Sequence, residues 1–598
     1  MMEVMQRPRV PVASLPAGIP NVPTFDGEGT LDAGKEATVF LKDFAEAIQN
    51  KDWSTFGNVF DENSWWRDSL TLTFDKRTLK GKQDIVKAWK TLSETRKPSR
   101  FSSQKDDDMI MEAQFVRMAP QLASLNVPFS FTTDAPKTKC IGQFKLVPKD
   151  GQWKVWVMTT AVMSLEEHPF ESLPRQSPSM IDASQRGKPQ AQGLPRVEGV
   201  LDAIVIGASS SGISNTIMLD SIGANVAAFD IEPAAGGNWS TKRYENICLH
   251  HPAFMIQLPM FPVPREGYPD YLSGRDLTKY FGAAIEKLKL PIFAGIKVVS
   301  NVFDEKTNLW NVTVQDVETN KEATLQAKNI VLSNGFLVSH ENPKYPDLKD
   351  RHFFKGPVEH TTVYRTPGPY KGKDVVIVGS GNSAHDVAHN LALSNAKSVT
   401  ILQRSPTVLL DFDVIGPMVT MMYDGATPID TADFLRASLP AAIERDMARG
   451  ALRLVGWCLR RDAKSAGMVE NVSLFGMDSE GEVPGYVTAS GHPHLYFSGI
   501  VEAGGVVLAT GYEIVDLPKR WKETGFLDAK SAGMVENVSL FGMDSEGEVP
   551  GYVTASGHPH LYFSGIGFYM CRWIGRYTAI QVIADVAGKF PATYPRSK

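Results

Sequence analysis

The sequence has few cysteines, no long apolar run and no excess of one charge. Its four cysteines, Cys140, Cys248, Cys458 and Cys571, lie far apart, so neither a zinc site nor a paired redox dithiol is predicted. No run approaches the roughly 18 apolar residues of a spanning helix, and the N-terminus has no apolar core typical of a secretory signal. The net charge of −5 gives no general attraction to nucleic acid or anionic lipid. We therefore expect a cytoplasmic protein without a metal site, a nucleic-acid partner or a membrane span.

The composition changes along a chain of 598 residues, which is too long for one core. Residues 1–32 are rich in Pro and Gly and predict a tail or strap. Residues 33–167 carry helical periodicity first ("EATVFLKDFAEAIQ") and strand-like runs later ("QWKVWVMTTAVMSL"), which predicts an α+β domain. This order resembles the SnoaL-like cone fold. Residues 168–198 have the polar, Pro-containing composition of a linker.

Two interpretations stay open for "WWRD" in the predicted α+β domain. Trp65, Trp66 and Asp68 are candidates to line a cavity, or they are core residues at the start of a strand. By itself the domain is compatible with a catalytic pocket, a substrate-handling module or a dimerisation surface, so a homodimer is a candidate oligomeric state.

An internal repeat occupies residues 462–500 and 528–566, which are identical letter for letter. Structural repeats diverge on their exposed faces, because only the stacking positions are constrained. Identity at every position therefore indicates a recent duplication or a misassembled sequence. Because the second copy runs into a strand, a glycine turn and a helix, we expect 528–566 to hold the native position. We expect 462–500 to form surface loops or an improvised hairpin.

The stretch "LDAIVIGASSSGIS" predicts a buried strand, a tight turn and a helix. Gly207, Ser209 and Gly212 stand at the turn, where the helix N-terminus offers free N–H groups to a pyrophosphate. Ser209 departs from the pattern, since a glycine is usual there. The next strand, "NVAAFDI", ends at Asp230, the place of a carboxylate that accepts hydrogen bonds from ribose hydroxyls. An acid there suits FAD, which has no 2′-phosphate.

The segment "AAGGNWS" follows the predicted adenosine site. Gly236 and Gly237 let the chain pass close to a cofactor, and Trp239 is a candidate to cover a flat ring. The alternative for Trp239 is an ordinary core position.

A second loop, "VVIVGSGNSAHDVA", has the same order of strand, turn and helix. It carries Gly379 and Gly381, followed by Asn382 and Ser383 at the start of the helix. The next strand ends at Arg404 and has no acid, and an arginine there can hold a 2′-phosphate bidentately. The sequence therefore predicts FAD at the first loop and NADPH at the second.

Between the loops, "FFKGPVEHTTVYR" places Phe354, Gly356, His360 and Tyr364 at the spacing FxGxxxHxxxY. This spacing, flanked by two nucleotide loops, resembles the identifying motif of the flavin-containing monooxygenases. The resemblance extends over 199–598, and "CLHHPAFMIQLPMFPVP" (248–264) resembles the flavin-proximal segment of plant YUCCA-type members and their fungal relatives. It implies two Rossmann-like α/β domains, an FAD domain (199–364 and 501–598) and an NADPH domain (365–500).

The resemblance also implies functional roles. "VVLATGY", with Thr510 and Gly511, resembles a turn that contacts FAD, and His250 lies in a segment that resembles the flavin-proximal one. The implied chemistry is NADPH- and O2-dependent insertion of one oxygen atom into a small organic substrate through a C4a-hydroperoxyflavin. Two alternatives stay open: a Baeyer–Villiger monooxygenase, against which Tyr364 argues, and an inactive product of the internal duplication. The substrate is not predicted.

Overall fold

A computed structural model describes residues 18–103, 111–239, 243–335, 342–346, 351, 354–402, 423, 427–447, 503–513, 516–535, 544–549, 551–565 and 568–596. Its described strands form three sheets: one in the N-terminal unit and one behind each predicted nucleotide loop.

The N-terminal unit begins with helices that pack on one face of a curved sheet. The helices are α1 (Ala33–Gln49), α2 (Trp53–Asn58) and α3 (Lys82–Arg96). The Asp32 side chain caps α1 by accepting from the Lys35 N–H at 3.0 Å, which satisfies a donor that the first turn leaves unpaired. The apolar face of α1 brings Phe44 into edge contact with Trp89 of α3, at a centroid distance of 5.6 Å.

The sheet of this unit has the order β2-β1-β7-β6-β5-β3, with β4 added to β5. Its strands are β1 (Phe60–Ser69), β2 (Lys76–Lys80), β3 (Ser99–Ser102), β4 (Gln114–Ala119), β5 (Leu122–Thr133), β6 (Thr138–Lys149) and β7 (Gln152–Leu165). Only β1 and β7 pair in parallel among these strands. The helices-then-sheet order agrees with the α+β prediction, while the likeness to the SnoaL-like fold stays a prediction.

The "WWRD" residues are core residues, which decides between the two interpretations given above. Trp66 and Asp68 are fully buried and Trp65 is 3% exposed. The Asp68 carboxylate accepts from the backbone N–H groups of Thr71 and Thr73, at 3.0 and 2.8 Å. It therefore holds the tight loop after β1.

The second sheet stands behind the first loop and has the order β10-β9-β8-β13-β12-β11, with β18 pairing β13. Its strands are β8 (Leu201–Ile206), β9 (Val226–Asp230), β10 (Ile292–Ala294), β11 (Ile296–Asp304), β12 (Leu309–Asp316), β13 (Glu322–Leu332) and β18 (Leu561–Phe563). Helix α4 (Ser210–Ser221) follows β8, and α5 (Gly274–Leu288) begins at a capping box of Ser273 and Asp276. The strands β10, β9, β8, β13 and β18 run parallel, so this is a Rossmann-type α/β sheet.

The third sheet stands behind the second loop and is parallel, with the order β14-β17-β15-β16. Its strands are β14 (Val358–His360), β15 (Asp374–Val378), β16 (Ser398–Leu402) and β17 (Gly505–Leu508). Helix α6 (Asn382–Leu393) follows β15. The prediction of two Rossmann-type α/β sheets is confirmed.

The predicted domain boundaries differ from these pairings in two places. The sequence assigns 358–360 and 505–508 to the FAD domain, but both strands join the sheet of the second loop. It also assigns helix α7 (Ile429–Arg436) to the NADPH domain. Instead α7 packs on the closing helix α10 (Phe568–Val586), where Arg572 Nη2 lies 2.8 Å from Asp433 Oδ1. Strand pairing between distant segments carries no local sequence signal.

The linker composition of 168–198 does not imply a loose connection. Arg186 Nη2 donates to buried Asp220 Oδ2 of α4 at 2.5 Å, and Arg175 Nη1 lies 3.7 Å from the other carboxylate oxygen. Helices α8 (Leu517–Glu523) and α9 (Ala529–Met534) lie between β17 and β18 in the chain.

The second copy of the repeat supplies structural contacts on both sides. Its strand β18 pairs with β13, with Val331 opposite Tyr562. Its residues 544–549 fill a basic cleft of the N-terminal unit, where Glu548 is 2% exposed. Lys76 Nζ lies 2.9 Å from that carboxylate and Arg67 Nη2 donates to it at 3.2 Å. The first copy, 462–500, lies outside the described residues, so its predicted loops stay a prediction.

Within the described residues, no helix combines the length and the apolar character needed to cross a membrane.

Candidate active site

The first loop is built so that only glycine fits at two positions. Gly207 has φ +102°, and a Cβ there would lie 2.5 Å from the carbonyl oxygen of Ser333. A Cβ on Gly212 would lie 1.8 Å from the Gly207 carbonyl oxygen. Helix α4 therefore approaches β8 closely, and its N-terminus is directed at the end of the sheet. Ser209 is the N-cap residue and makes no side-chain capping bond, so its substitution for glycine leaves the first N–H groups of α4 available.

Asp230 lies beside this loop at the end of β9. Its Oδ2 accepts from the Ala208 N–H at 2.6 Å, and its Oδ1 accepts from the Glu232 N–H at 2.9 Å. The residue is 7% exposed, so the loop positions its carboxylate firmly at the carboxyl edge of the sheet. This is the place predicted for ribose recognition.

The Gly236–Gly237 turn covers the first loop. The Gly236 N–H donates to the Ala208 carbonyl at 2.9 Å, and a Cβ on Gly237 would lie 3.1 Å from the Ser209 Cβ. Trp239 is partly buried and packs against the cluster that contains Ile247. The turn and Trp239 thus form one wall of the predicted FAD site.

The two glycines of the second loop have different surroundings: a Cβ would clash at the first and would meet open space at the second. Gly379 has φ +114°, and a Cβ there would lie 2.2 Å from the Ala509 carbonyl oxygen. Gly381 caps α6, and a Cβ added to it would meet no heavy atom of the described residues within 4 Å. The N-terminus of α6, with Asn382 and Ser383, therefore faces open space, as a pyrophosphate site requires.

One strip of chain, residues 243–250, lies against the helix of the second loop. Arg243 Nη2 donates to Ser383 Oγ at 2.9 Å, and Arg243 Nη1 donates to the Tyr512 hydroxyl at 3.3 Å. The Arg243 guanidinium thus lies at the N-terminus of α6. It adds a positive charge to the backbone N–H groups that the second loop offers there. Sequence reasoning missed Arg243, although a basic residue shortly after the Gly-Gly turn was the available signal.

Asp386 of α6 holds the other end of this strip. Its Oδ1 lies 2.8 Å from His250 Nε2, and its Oδ2 accepts from the Tyr244 hydroxyl at 2.8 Å. The Asp386 carbonyl accepts from Asn246 Nδ2 at 3.0 Å. The hydrogen bond to Asp386 raises the pKa of His250, against the opposing effect of partial burial. The sequence did not indicate Asp386 either, because an acidic residue inside a helix has no distinctive spacing.

The residues of the FxGxxxHxxxY motif pack the third sheet. Phe354 is 6% exposed and contacts Val506 and Leu508 of β17. A Cβ on Gly356 would lie 2.6 Å from the Phe354 ring, which explains the glycine. Tyr364 is fully buried.

His360 is fully buried and both of its ring nitrogens have partners. Nδ1 lies 3.1 Å from Thr362 Oγ1, and Nε2 lies 3.1 Å from the Gly511 carbonyl oxygen. Burial lowers the pKa of His360. This arrangement fits an orienting role, since the His360 ring contacts the turn that contains Thr510 and Gly511. That turn abuts Gly379, so the structure brings it to the second loop.

Comparison with known proteins finds a family model that matches the region of these loops. Residues 205–452 match the family model described as FMO-like, flavin-binding monooxygenase-like. That region is therefore similar to the flavin-binding monooxygenases. It contains the first loop, the motif at Phe354–Tyr364 and the second loop, so the similarity falls on the features from which the family was predicted.

Curated relatives of this flavin-binding monooxygenase-like segment include enzymes from plants and an insect. The indole-3-pyruvate monooxygenase YUCCA1 of Oryza sativa subsp. japonica is 27% identical over 207 residues, which cover 35% of this chain and 49% of that protein. The senecionine N-oxygenase of Tyria jacobaeae is 23% identical over 224 residues, covering 35% and 48%. The chain spans about half the length of these two relatives. Among solved structures, a flavin-containing monooxygenase from Stenotrophomonas maltophilia aligns with a TM-score of 0.41, 18% identity and coverage of 65% and 100%.

The predicted site residues thus fall into two groups in the flavin-binding monooxygenase-like segment and its neighbouring strands. The first surrounds the first loop: Gly207, Ser209, Gly212, Asp230, Gly236, Gly237 and Trp239. The second surrounds the second loop: Gly379, Gly381, Asn382, Ser383, His360, Thr510 and Gly511. His250 contacts Asp386 in the helix of the second loop, and Arg404 lies outside the described residues.

Proposed function

We propose that the protein is an FAD- and NADPH-dependent monooxygenase that transfers one oxygen atom to a small organic substrate. The observation that best supports this proposal is that residues 243–250 contact the helix of the second loop, through Arg243–Ser383 and His250–Asp386. Those residues follow closely on the wall of the first loop, so two dinucleotides bound at the two loops would meet along this strip. The monooxygenase family match and the names of the relatives support this proposal over an inactive product.

The residues present fit FAD at the first loop. The close packing at Gly207 and Gly212 directs the N–H groups of α4 outward, where the helix dipole favours a pyrophosphate. Asp230 would accept from the ribose hydroxyls. Bound FAD would accept a hydride from NADPH and activate O2, because the cofactor carries the hard chemistry.

The residues present also fit NADPH at the second loop. Gly381 leaves open space at the N-terminus of α6, and Arg243 adds a positive charge beside Ser383. We infer that Arg243 contacts the pyrophosphate and that Arg404 contacts the 2′-phosphate. Arg243 would then contribute affinity for any such dinucleotide, and Arg404 would contribute selectivity for NADPH.

His250 is the proton-holding group of the strip. Asp386 occupies its Nε2 and favours the protonated ring, in which Nδ1 is a second donor. We infer that Nδ1 donates a hydrogen bond to bound cofactor or to the oxygen being transferred. His360 orients the neighbouring turn instead, since both of its nitrogens are occupied.

The N-terminal unit is proposed as a SnoaL-like domain with a structural role toward the flavin-binding part. Its helix-covered face is packed with aromatic side chains, where Phe129 fills the space beside Gly142. Its basic cleft receives Glu548, as described above. We infer that the N-terminal unit stabilises the positions of α10 and of segment 544–549.

Purification of the full chain tests this function. We expect a yellow protein whose released flavin is FAD, and NADPH oxidation that a substrate stimulates. Amines, thioethers, indole-3-pyruvate and ketones form the substrate panel, with mass spectrometry detecting a product gain of one oxygen atom. A protein that binds neither FAD nor NADPH contradicts the proposal.

A further inference from the structure

Helix α4, which follows the first loop, carries a buried asparagine among apolar residues. Asn215 lies between Ile213 and Ile217 in the sequence and, like them, is fully buried. Asparagine is a poor helix former, because its amide competes with the backbone for hydrogen bonds. A buried amide also costs free energy unless it has partners. The groups that Asn215 contacts therefore account for a polar residue at this position.

The Asn215 amide donates to the first turn of its own helix and to the ends of two strands. Its Nδ2 lies 2.8 Å from the Ser211 carbonyl oxygen, 2.7 Å from Ser564 Oγ and 3.4 Å from Ser333 Oγ. Ser564 directly follows β18, and Ser333 directly follows β13. One side chain thus joins α4 to the carboxyl ends of two neighbouring parallel strands.

Ser564 makes a second contact with the first turn of α4. Its Oγ lies 3.1 Å from Ser211 Oγ. Ser211 belongs to the turn whose N–H groups would face the FAD pyrophosphate. The Ser564 backbone N–H donates to the Leu332 carbonyl at 2.9 Å, which continues the pairing of β18 with β13. The sheet therefore sets the position of Ser564, and Ser564 in turn fixes the position of Ser211.

Ser333 extends the same network to the glycine turn of the first loop. Its N–H donates to the Ile206 carbonyl at 2.8 Å, and its own carbonyl oxygen lies 2.5 Å from a Cβ placed on Gly207. The strand ends that Asn215 joins are thus the surface against which the first loop packs. Ligands of such sheets bind outside the carboxyl ends of the strands, so the network lies next to the FAD site.

We propose that Asn215 and Ser564 are positioning residues for FAD, which hold the first turn of α4 against the ends of β13 and β18. Both residues are fully buried, so they act through Ser211 and the first loop rather than by contact with the cofactor. This proposal rests on the proposed function, in which FAD binds at the first loop. It gives the second repeat copy a role in cofactor binding, because Ser564 belongs to residues 528–566.

FAD release from the full chain tests the proposal. Ser564→Ala should raise the FAD dissociation constant about fivefold, which corresponds to the loss of one hydrogen bond. Asn215→Ala, which removes the donor, should raise it at least as much. The rise of flavin fluorescence on dilution of the holoprotein measures release. NADPH affinity should stay unchanged in both variants, because the second loop is not part of this network. Ser564→Ala removes no carbon atom, so the test depends on this milder variant.

Two serines provide matched controls. Ser498→Ala changes the identical residue of the first repeat copy. Ser221→Ala removes a buried hydroxyl at the other end of α4, where Ser221 Oγ donates to the Met218 carbonyl at 3.0 Å. Both controls should leave the FAD dissociation constant unchanged.

Three results would overturn the proposal. If Ser221→Ala weakens FAD as much as Ser564→Ala does, the effect is a general loss of stability. If Ser498→Ala weakens FAD and Ser564→Ala does not, the wrong copy has been assigned. If Ser564→Ala and Asn215→Ala bind FAD as tightly as wild type, the network is structural only. A wild-type protein that binds no FAD would instead overturn the proposed function, and this proposal with it.

Discussion

His250 Nε2 lies 2.8 Å from Asp386 Oδ1, and this pair joins the strip beside the first loop to the helix of the second. The same carboxylate accepts from Tyr244, so Asp386 fixes the strip at two points. Asp386 also raises the pKa of His250 above its ordinary value, so this contact depends on pH.

The His250–Asp386 pair predicts a pH-dependent contribution to stability. The pKa of His250 is raised above its ordinary value of 6.5, so the pair stabilises the fold fully below pH 6.5. That contribution is lost as the pH rises through the raised pKa. The side chain of His250 is 37% exposed, so we expect at most about 1 kcal/mol. Melting temperatures of wild type and His250→Gln between about pH 5.5 and 9 measure it.

Asp386→Asn is the partner variant for this test. It should remove the same pH-dependent part of the stability as His250→Gln, and the double variant should lose no further pH-dependent part, because both substitutions remove one ion pair. The Tyr244 hydrogen bond to Asp386 adds a loss that does not vary over this pH range. A difference from wild type that stays constant across the pH range contradicts the assignment.

Gly212→Val should abolish flavin binding. A Cβ at this position would lie 1.8 Å from the Gly207 carbonyl oxygen, so helix α4 cannot keep its approach to β8. We expect colourless protein, measured by absorbance at visible wavelengths. Gly381→Ala is the control at the second loop, where the added Cβ meets open space. That variant should stay yellow and require more NADPH.

Arg404→Ala and Arg243→Ala should differ in their nucleotide dependence. A charge-assisted bidentate contact is worth about 1.5–3 kcal/mol, so Arg404→Ala should weaken NADPH about 10–100-fold and NADH little. Arg243→Ala should weaken both nucleotides alike, since both carry the pyrophosphate. Stopped-flow flavin reduction at varied nucleotide concentration measures both. Equal loss of NADPH and NADH in Arg404→Ala would rule out the 2′-phosphate contact.

The two repeat copies allow a matched test of which one the fold uses. Burial alone would raise the pKa of Glu548, but Arg67 and Lys76 outweigh it and lower it to about 2. Glu548→Gln leaves two buried cations without an anion, which should cost about 3–5 kcal/mol of unfolding free energy. The identical residue of the first copy, Glu482, provides the control, and Glu482→Gln should be neutral. Equal destabilisation by both substitutions contradicts the preference for the second copy.

Replacement of residues 462–500 by a short hairpin tests the first copy as a whole. The second copy already supplies β18 and the acidic segment 544–549. We therefore expect the shortened chain to bind flavin at least as well as the full chain and to melt at an equal or higher temperature. Loss of flavin would show that the first copy has a structural role.

The two nucleotide loops and the order of the units can be predicted without the structure. Gly212 is required by the carbonyl of Gly207, five residues earlier, and Gly207 and Gly379 have the positive φ of a tight turn, so their spacing alone indicates the two turns. The acid at Asp230 follows from the regular length of a strand-helix-strand unit. These are local or periodic constraints, which a single chain displays.

The meeting of distant segments, by contrast, is visible in the tertiary structure alone. β17 belongs to the sheet of the second loop, where Val507 pairs with Ile377. Helix α7 packs instead on α10, where Asp433 pairs with Arg572. Asp386, Arg243 and Glu548 act through partners more than a hundred residues away. Such pairings depend on how the sheets and helices stack, and neither hydrophobic periodicity nor motif spacing encodes that arrangement.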